Sequence, residues 1–566
     1  MKIVCPEKIK TAITKILSAI RPKQNWNLSL VLWVFSIPAV CFLGCTAEKY
    51  KQDADKEVQQ ILDAKWKSEH GTKANARIGD VKPDPNDLYV DPNYIPSGSL
   101  SLAEAVAIAT ARNRDYQEQK ESLYISALDL TLSRHDFAQK WFGSIDASYD
   151  RTEADESVSA SGGNSGKTVG FSQLLADGTQ ISSSIAIDWL RYLTGDPRES
   201  LGSVLSASIN KPLLRGAGKE VVMENLTQAE RNVLYQIRTF SRYRKTFVVS
   251  IVSDYYRVLQ ALDSVKNAES NYNSLMLAYD QAKDNAMAGR LAKLEADQTE
   301  QRMLQARDTL ASTERSYQQS LDNFKIRLAI TTDAPLELDP NALQALSVME
   351  VVEPQFDIED AIKTALSLRL DLTTIKNQVD DARRKIKVSE NALQADLNLV
   401  ASANVDSTPE TKFTRLRFQD GSYSIGAQLD LPFDRKAERN NYRESLITLM
   451  QRQRDYENSV DNVKLDVRNN YRDLLEAAQR YQIQKKSLEL AQERVNSTSL
   501  LFQAGRAQAR DLLDSQDSLL SAQNSTTSTL VDYNIAKLSF YRDIEVLTVK
   551  PDGLWQTPEN STEKGL

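Results

Sequence analysis

Past residue 45 this sequence has no cysteine; its three, Cys5, Cys41 and Cys45, all lie near the start. The remainder can therefore form no disulfide and no thiolate metal site. Histidine is nearly absent as well, since His70 and His135 are the two, far apart and without a partnering motif. A Ser-His-Asp arrangement or a zinc site would have to be built around one of them, so neither an enzyme nor a cofactor is expected. Glycine (20) and proline (16) are scarce over 566 residues, which leaves few turns for the length. Few turns in a long polar chain point to long helices. No apolar run of about 20 residues follows position 45, so helical membrane spans are not expected there. A β-barrel wall escapes that test, because its apolar residues alternate with polar ones. A net charge of −7 with 26% charged residues offers nothing to attract nucleic acid.

What is present begins with an address. Lys2, Lys8, Lys10, Lys15, Arg21 and Lys23 precede an apolar stretch from Leu28 to Leu43. A basic segment followed by about 15 apolar residues reads as a secretory signal, here residues 1–44. It closes on Phe42-Leu43-Gly44-Cys45, which resembles a bacterial lipobox, with cleavage before a cysteine that receives lipid. Cys41 follows the bulky Val40 and fits less well, while Thr46 leaves out the aspartate that would suggest inner-membrane retention. The alternative is an uncleaved signal anchor with incidental cysteines. Residues 45–99, polar and containing Pro83, Pro85, Pro92 and Pro96, read as a lipidated, partly ordered arm.

The body of the chain repeats itself. At an offset of 216 residues Ala288-Gly289-Arg290 meets Ala504-Gly505-Arg506, and Tyr255, Leu259, Ala306, Tyr317 and Phe324 meet Tyr471, Leu475, Ala522, Tyr533 and Phe540. Farther upstream an offset of 256 pairs Leu102, Ala105, Ala109 and Asp115 with Ile358, Ala361, Ala365 and Asp371. The repeats span 100–330 and 356–547, joined by a proline-bearing linker at 331–355 and followed by a tail at 548–566.

Each repeat carries a seven-residue ladder. The first reads Ile251, Val258, Val265, Tyr272, Tyr279, Ala286, with Ala261, Ala268, Leu275 and Ala282 beside it. The second reads Val467, Leu474, Tyr481, Leu488, Val495, Phe502. Such a spacing keeps one seam against a neighbour along a supercoil, and alanines let backbones approach closely. An ordinary coiled-coil dimer would show the same ladder. The pattern predicts helices over Lys219–Ala288, Leu291–Ala329, Ile358–Ala395 and Lys436–Ala504, the first about 105 Å long at 1.5 Å per residue.

Between the helices the period changes from seven to two. Ile145, Ala147 and Tyr149 alternate with polar residues, as do Leu205, Ala207 and Ile209. In the second repeat Leu397, Leu399, Ala401, Ala403 and Val405 alternate, and so do Ile425, Ala427 and Leu429. A barrel wall needs this pattern, although a half-buried soluble sheet would also show it. Further alternation at Val169–Phe171 and Ile181–Ile187 flanks Asp177-Gly178, a hairpin signal, between long loops at 152–167 and 191–202. The segments give way to helices at Pro212 and Pro432, where a residue without an N–H is acceptable.

The duplicated plan of helix, strand pair and long helix resembles the TolC-like outer membrane factor family over most of the chain. The most specific pieces are Ala504-Gly505-Arg506 with Asp511-Leu512-Leu513-Asp514, and Lys211-Pro212-Leu213-Leu214-Arg215-Gly216. The resemblance implies a homotrimer whose strands close a transmembrane β-barrel, four from each chain, with six as the open alternative. A long periplasmic α-helical barrel continues it. It implies a passive exit duct of a tripartite efflux or type I secretion system, working with a periplasmic adaptor protein and an inner-membrane transporter. The helix reversals at Gly289, Arg290, Gly505 and Arg506 would be the tip that meets the adaptor. Asp511 and Asp514, on one helix face, would ring the entrance, with Glu295 and Gln298 at the matching places of the first repeat. Some members latch this tip with a tyrosine and an arginine where Phe502 and Ala507 stand here. The competing reading is a lipidated periplasmic coiled-coil scaffold or pump adaptor, which would not need the alternating segments.

The lipid assignment is directly testable. Labelling with a radioactive fatty acid should be abolished by Cys45→Ser. Label that survives this change but disappears with Cys41→Ser would move the site.

Overall fold

The computed structural model describes residues 47–67, 73, 99–144, 146–151, 156–161, 169–192, 199–348, 351, 357–408, 412–504, 506–550 and 555–556. Cys45 and Gly505 fall outside them. The chain divides into two compact units, residues 1–57 and 58–566. In the first, the described residues are the opening turns of helix α1 (Ala47–Lys65). In the second, the last turns of α1 contribute Val58, Ile61 and Leu62 to the main core, so this stretch of the polar arm is a docked helix.

Helices and one large sheet make up the second unit. The first repeat opens with α2 (Leu102–Arg112) and α3 (Arg114–His135), and the second with their counterparts of the same lengths, which lie at the same 256-residue spacing. Ser101 starts α2 with a capping box: its Oγ accepts the Glu104 N–H at 3.3 Å, and the Glu104 carboxylate accepts the Ser101 N–H at 3.0 Å. Asn113 (ψ 130°) breaks the path between α2 and α3; its Oδ1 accepts the Tyr116 N–H and its Nδ2 donates to the Arg327 carbonyl.

The chain then runs through strands β1 (Lys140–Gly143), β2 (Asp146–Arg151), β3 (Glu156–Ser161), β4 (Val169–Leu174), β5 (Gln180–Tyr192) and β6 (Glu199–Pro212). Long helix α4 (Glu224–Met287) leads out and α5 (Lys293–Arg327) returns. Between the repeats, Glu337–Leu338 pairs in parallel with Ser99–Leu100, followed by a short helix at Asn341–Val348. The second repeat follows with α6 (Ile358–Leu368), α7 (Leu370–Asn391), β7 (Asp396–Thr408), β8 (Lys412–Leu416), β9 (Ser422–Asp430), α8 (Lys436–Gln503) and α9 (Ala509–Asp543).

The pattern-based helices need two corrections. The helix expected over 358–395 ends at Asn391 and is interrupted at Arg369 (ψ 118°), the position equivalent to Asn113. There the Arg369 side chain turns to Asp371 (2.8 Å) and Asp466 (3.2 Å). The helix expected over 219–288 is a short turn at Lys219–Val222 and then α4, separated by Met223.

The sheet is wider than the preferred count of four strands. All the strands above lie in one antiparallel sheet, and the chain crosses it six times: β1 with β2, β3 with β4, then β5, β6, β7 and β9. Four crossings come from the first repeat and two from the second, so the open alternative of six describes this sheet. The sheet exceeds the preferred four because β3 (Glu156–Ser161) occupies part of the expected loop at 152–167 and pairs with β2. Likewise the expected loop at 191–202 is shortened by the ends of β5 and β6. Asp177-Gly178 does form a tight hairpin, with Gly178 at φ 93°. A Cβ there would stand 2.7 Å from the Gly216 carbonyl oxygen and 2.8 Å from Pro212 Cγ, so glycine is required on both counts.

The core sits where the helices of both repeats meet. Tyr255, Phe240, Phe324 and Phe540 are among its largest fully buried side chains, each worth about 1.5–3 kcal/mol against exposure. Ile251, Val258, Val467, Leu474 and Tyr481 of the two ladders are buried in it. Toward the far end of α4 the deepest positions pass to the companion row, Ala268, Leu275 and Ala282, while Tyr272 and Leu488 are half-buried.

Two charge clusters tie the repeats together. The Asp381 carboxylate accepts from Arg231 (2.6 Å), Tyr235 (2.6 Å), Arg384 (2.9 Å) and Gln228 (3.3 Å). Burial opposes its ionisation, but those hydrogen bonds outweigh burial and hold it below the ordinary carboxylate range. Burial, and then the bond to Asp381, push the Tyr235 hydroxyl up to about 12. Glu545, at φ 67°, accepts from Lys245 Nζ at 2.7 Å and from Arg242 Nη1 at 2.9 Å. The Lys245 and Glu545 side chains are 11% and 4% exposed.

Removing one partner of such a pair leaves the other buried alone, at a cost of about 3–5 kcal/mol. Glu545→Ala should therefore lower the denaturation temperature clearly, while Glu545→Gln combined with Lys245→Met should recover most of the loss. A single variant that melts with the parent would show that the pair does not hold the C-terminal segment.

Candidate functional site

Two places in the fold combine residues in ways that packing alone does not explain. The first is the sheet. Its register aligns one unbroken row, Trp141, Phe171, Ser183, Ala207, Ala403, Tyr423, across all six crossings. A parallel row on the same face runs Ile181, Ile209, Ala401, Ile425. The opposite face carries Lys140, Ser172, Ser182, Ser208, Ser402 and Ser424 in one row, and Ser184, Ser206, Asn404 and Ser422 in the next. The serines pair across strands, Ser182 with Ser208 and Ser402 with Ser424, each at 2.7 Å.

The two faces thus differ in kind. Trp141 is 69% exposed and Ile425 78%, and Ile185, Ile209 and Leu429 also stand out on the apolar face. Large apolar side chains lined up on an uncovered face, with hydroxyls behind them, suit a wall between hydrocarbon and water. Strands β5, β6 and β7 run 13, 14 and 13 residues, enough to cross a bilayer.

The strand-to-helix exits at Pro212 and Pro432 hold the wall to the helices. Past Pro212 the Leu213 N–H donates to the Leu397 carbonyl at 2.8 Å, and the Gly216 N–H to Asn391 Oδ1 at 2.7 Å. Past Pro432, Arg435 donates to the carbonyls of Pro432 and Leu393, fastening the end of one strand to the start of its neighbour.

The second place is where the long helices reverse. Gly289, at φ 71°, ends α4, and the Arg290 N–H reaches back to the Asn285 carbonyl at 2.8 Å while the Gly289 N–H bonds Ala286. This is the Schellman arrangement, which only a residue tolerant of the left-handed region makes without strain. The Arg506 N–H bonds the Leu501 carbonyl at 2.8 Å, the matching bond one repeat later. Arg290 and Arg506 are exposed.

Just beyond the second reversal stand the acidic residues. Asp511 is exposed in the first turn of α9, and its carboxylate accepts the Gln508 N–H at 3.2 Å. A carboxylate there also opposes the positive helix end. Asp514 is half-exposed, 3.8 Å from Arg302 and 3.7 Å from Arg510. Asp517, one further step along the helix, meets Arg302 at 3.1 Å. Beneath them Leu275, Ala306 and Leu513 form a small buried cluster from α4, α5 and α9, flanked by Tyr272 and Met303. The structure therefore brings the helix-return regions of both repeats together. Glu295 lies in the first turn of α5, partly buried, with its carbonyl accepting from Thr299.

The sequence pointed to Asp511 and Asp514, and the structure sets Asp517 and Arg302 beside them. The three-residue spacing of Asp511, Asp514 and Asp517 was readable. The approach of Arg302 was not, because only the packing of α5 on α9 brings it there.

Residues 361–542 match the family model described as outer membrane efflux protein. No curated protein matches the chain in sequence. Among solved structures the chain is similar to CusC, in a structure titled for the conformational changes that accompany folding and transmembrane channel formation. The identity is 13%, the TM-score 0.57, and the match covers 84% of this chain and 99% of that one. It is also similar to the Campylobacter jejuni CmeC outer membrane channel, at 13% identity and TM-score 0.56 over 87% of this chain and 97% of that one. The open state of the Neisseria gonorrhoeae MtrE outer membrane channel aligns at 14% identity and TM-score 0.55, over 84% and 97%. At these identities the likeness is one of fold.

The cluster under the acidic residues sets the stability of this end. Leu513→Asp places a charge among Leu275 and Ala306 and should loosen the reversals, increasing trypsin cleavage after Arg290 and Arg506 by roughly tenfold, the equivalent of about 1.4 kcal/mol. Cleavage at the parental rate would mean that the cluster does not restrain them.

Proposed function

We infer that this chain is the outer-membrane exit duct of a tripartite efflux system, a reading supported by the match of residues 361–542 to the outer membrane efflux protein model and by the likeness in fold to outer membrane channels. The observation that carries the reading is the register of the sheet, which separates a mainly apolar face, with Ser183 and Ser203 among its residues, from a face of serines. All long helices leave the sheet from the end where Asp177-Gly178 turns and the exits at Pro212 and Pro432 lie. One end of the molecule is therefore membrane wall and the other is a helical tunnel. A coiled-coil scaffold or adaptor would have no use for such a sheet.

Three copies would close the wall into a barrel, since one twisted sheet of this width leaves both edges open. Lipid on Cys45 would hold the polar arm at the membrane surface and assist the inserted barrel. The reversals at Gly289, Arg290, Gly505 and Arg506 would meet a periplasmic adaptor protein, which couples the duct to an inner-membrane transporter. Nothing in a passive tunnel selects cargo, so the transporter does.

At the entrance, three copies of Asp511 and Asp514 would form a ring of six carboxylates, with Glu295 contributing from the first repeat. Such a ring draws cations into an aperture through its local potential. Arg302 and Arg510 offset part of that charge. Asp511→Ala with Asp514→Ala should weaken cation selectivity in planar bilayers and remove block by multivalent cations. The effect should grow at low salt, where screening is longer-ranged. Selectivity and block equal to the parent's would place these carboxylates on an ordinary solvated helix face.

A further inference from the structure

The sheet ends on two open edges. Strand β9 (Ser422–Asp430) pairs on one side only, with β7, and β1 and β2 pair only with β4 and β3 among the described residues. β9 is exposed along its whole length. Within hydrocarbon an unpaired strand edge has no water to satisfy its N–H and C=O groups, so both edges must find partners.

Which edge closes the barrel depends on the first hairpin, formed by β1 and β2 against β4 and β3. If the wall had four strands per chain, the outer edge of β5 (Gln180–Tyr192) would meet the next subunit. In this chain that edge is already taken. β4 pairs it from Val169 with Ile185 to Leu174 with Gln180, and β3 from Ser157 with Tyr192 to Ala160 with Trp189. The hairpin also stays in phase with the wall. Trp141 and Phe171, whose rings stand 5.5 Å apart, extend the apolar row, while Lys140 and Ser172 extend the serine row. Phe142 departs from this pattern and lies over Gly170, where an added Cβ would come within 2.7 Å of its Cζ. A flap folded in water would have no reason to continue both rows.

We propose that the first hairpin is part of the membrane wall, so that each subunit contributes six strands and the trimer closes as an eighteen-stranded barrel. The proposal rests on the trimeric-duct reading. The seam then lies between β1 and β2 of one subunit and β9 of the next. These two crossings run in opposite directions, and Trp141 and Tyr423 belong to the same apolar row, so antiparallel closure carries both faces round the ring. With strands about 4.8 Å apart and tilted about 40°, eighteen make a backbone diameter of about 36 Å, against about 24 Å for twelve. The section in the outer membrane would then be too wide to limit cargo size, leaving that limit to the helical end.

Disulfide cross-linking of the full-length protein in outer-membrane fractions tests the seam. Trp141→Cys combined in turn with Tyr423→Cys, Ile425→Cys and Ala427→Cys covers the even register shifts that keep one face outward. At least one pair should yield disulfide-linked dimers and trimers on a non-reducing gel, with the unsubstituted protein as the control for Cys45. Ser183→Cys in the same three combinations should yield none. Linkage through position 183, or no linkage through 141 in protein that still migrates as a trimer, would put the hairpin outside the wall and overturn the proposal. End-on electron microscopy of the unsubstituted protein gives an independent reading, since a ring near 24 Å would overturn it as well. Absence of a trimer from the outer membrane would sink the duct reading itself, a distinct failure.

Discussion

A strand in hydrocarbon must have its backbone hydrogen-bonded on both sides, because no water is there to do it. In the duct proposed above, most of this architecture traces to that constraint. It requires the two repeats to share one sheet, and they do so along β6 and β7, paired without interruption from Val204 with Asp406 to Pro212 with Asn398. It fixes the register, since a slip of one residue would move every isoleucine to the serine side. It also sends the helices out from one end, because a chain leaving the sheet elsewhere would abandon paired backbone inside the membrane. Pro212 sits at the last paired position, where the missing N–H does no harm, and Leu213 and Gly216 are at once bonded to Leu397 and Asn391.

The helical region obeys a different constraint, packing over great length. A heptad ladder keeps a seam facing a neighbour only while the supercoil follows it. In α4 the buried row passes from Ile251 and Val258 to Ala268, Leu275 and Ala282, so the helix exchanges bulky contacts for close approach as it nears its reversal. Charge finishes what apolar packing leaves undone. Asp381 and Glu545 each gather cations from distant parts of the chain, and a hub of this kind fixes helix register, because sliding one helix by a turn would strand a buried ion.

The sequence was most readable where a local rule decides the structure. Glycine at the end of a seven-residue ladder marked the reversal at Gly289, Asp177-Gly178 marked a tight hairpin, and the prolines marked the exits. Helix ends fell within a few residues for the same reason. Reading failed where the answer depends on what lies across space. The strand at 146–151 was legible from its alternation, but the one at 156–161 is short and serine-rich, so by composition it looks like part of a polar loop. Only its pairing across space, Ala160 with Trp189, makes it part of a sheet. The breaks at Asn113 and Arg369 were hidden because both residues sit in good helical surroundings. Asn113 reaches the Arg327 carbonyl and Arg369 reaches Asp466, contacts far away in sequence.

The acidic end of the molecule joins these two kinds of information. Asp511 is bound to its own helix through the Gln508 N–H, so part of its role is local and would exist in any helix starting there. Asp514 and Asp517 have no such duty, and they share Arg302, a cation supplied by the other repeat. An exposed pair of this kind contributes little to stability, roughly 0–1 kcal/mol. Its larger effect is on the local potential, which responds to every uncompensated charge. Any motion that separates α5 from α9 takes Arg302 away from both aspartates and makes this end more negative. The charge presented there therefore depends on how the two repeats sit against each other, and the small apolar contact among Leu275, Ala306 and Leu513 is what holds them.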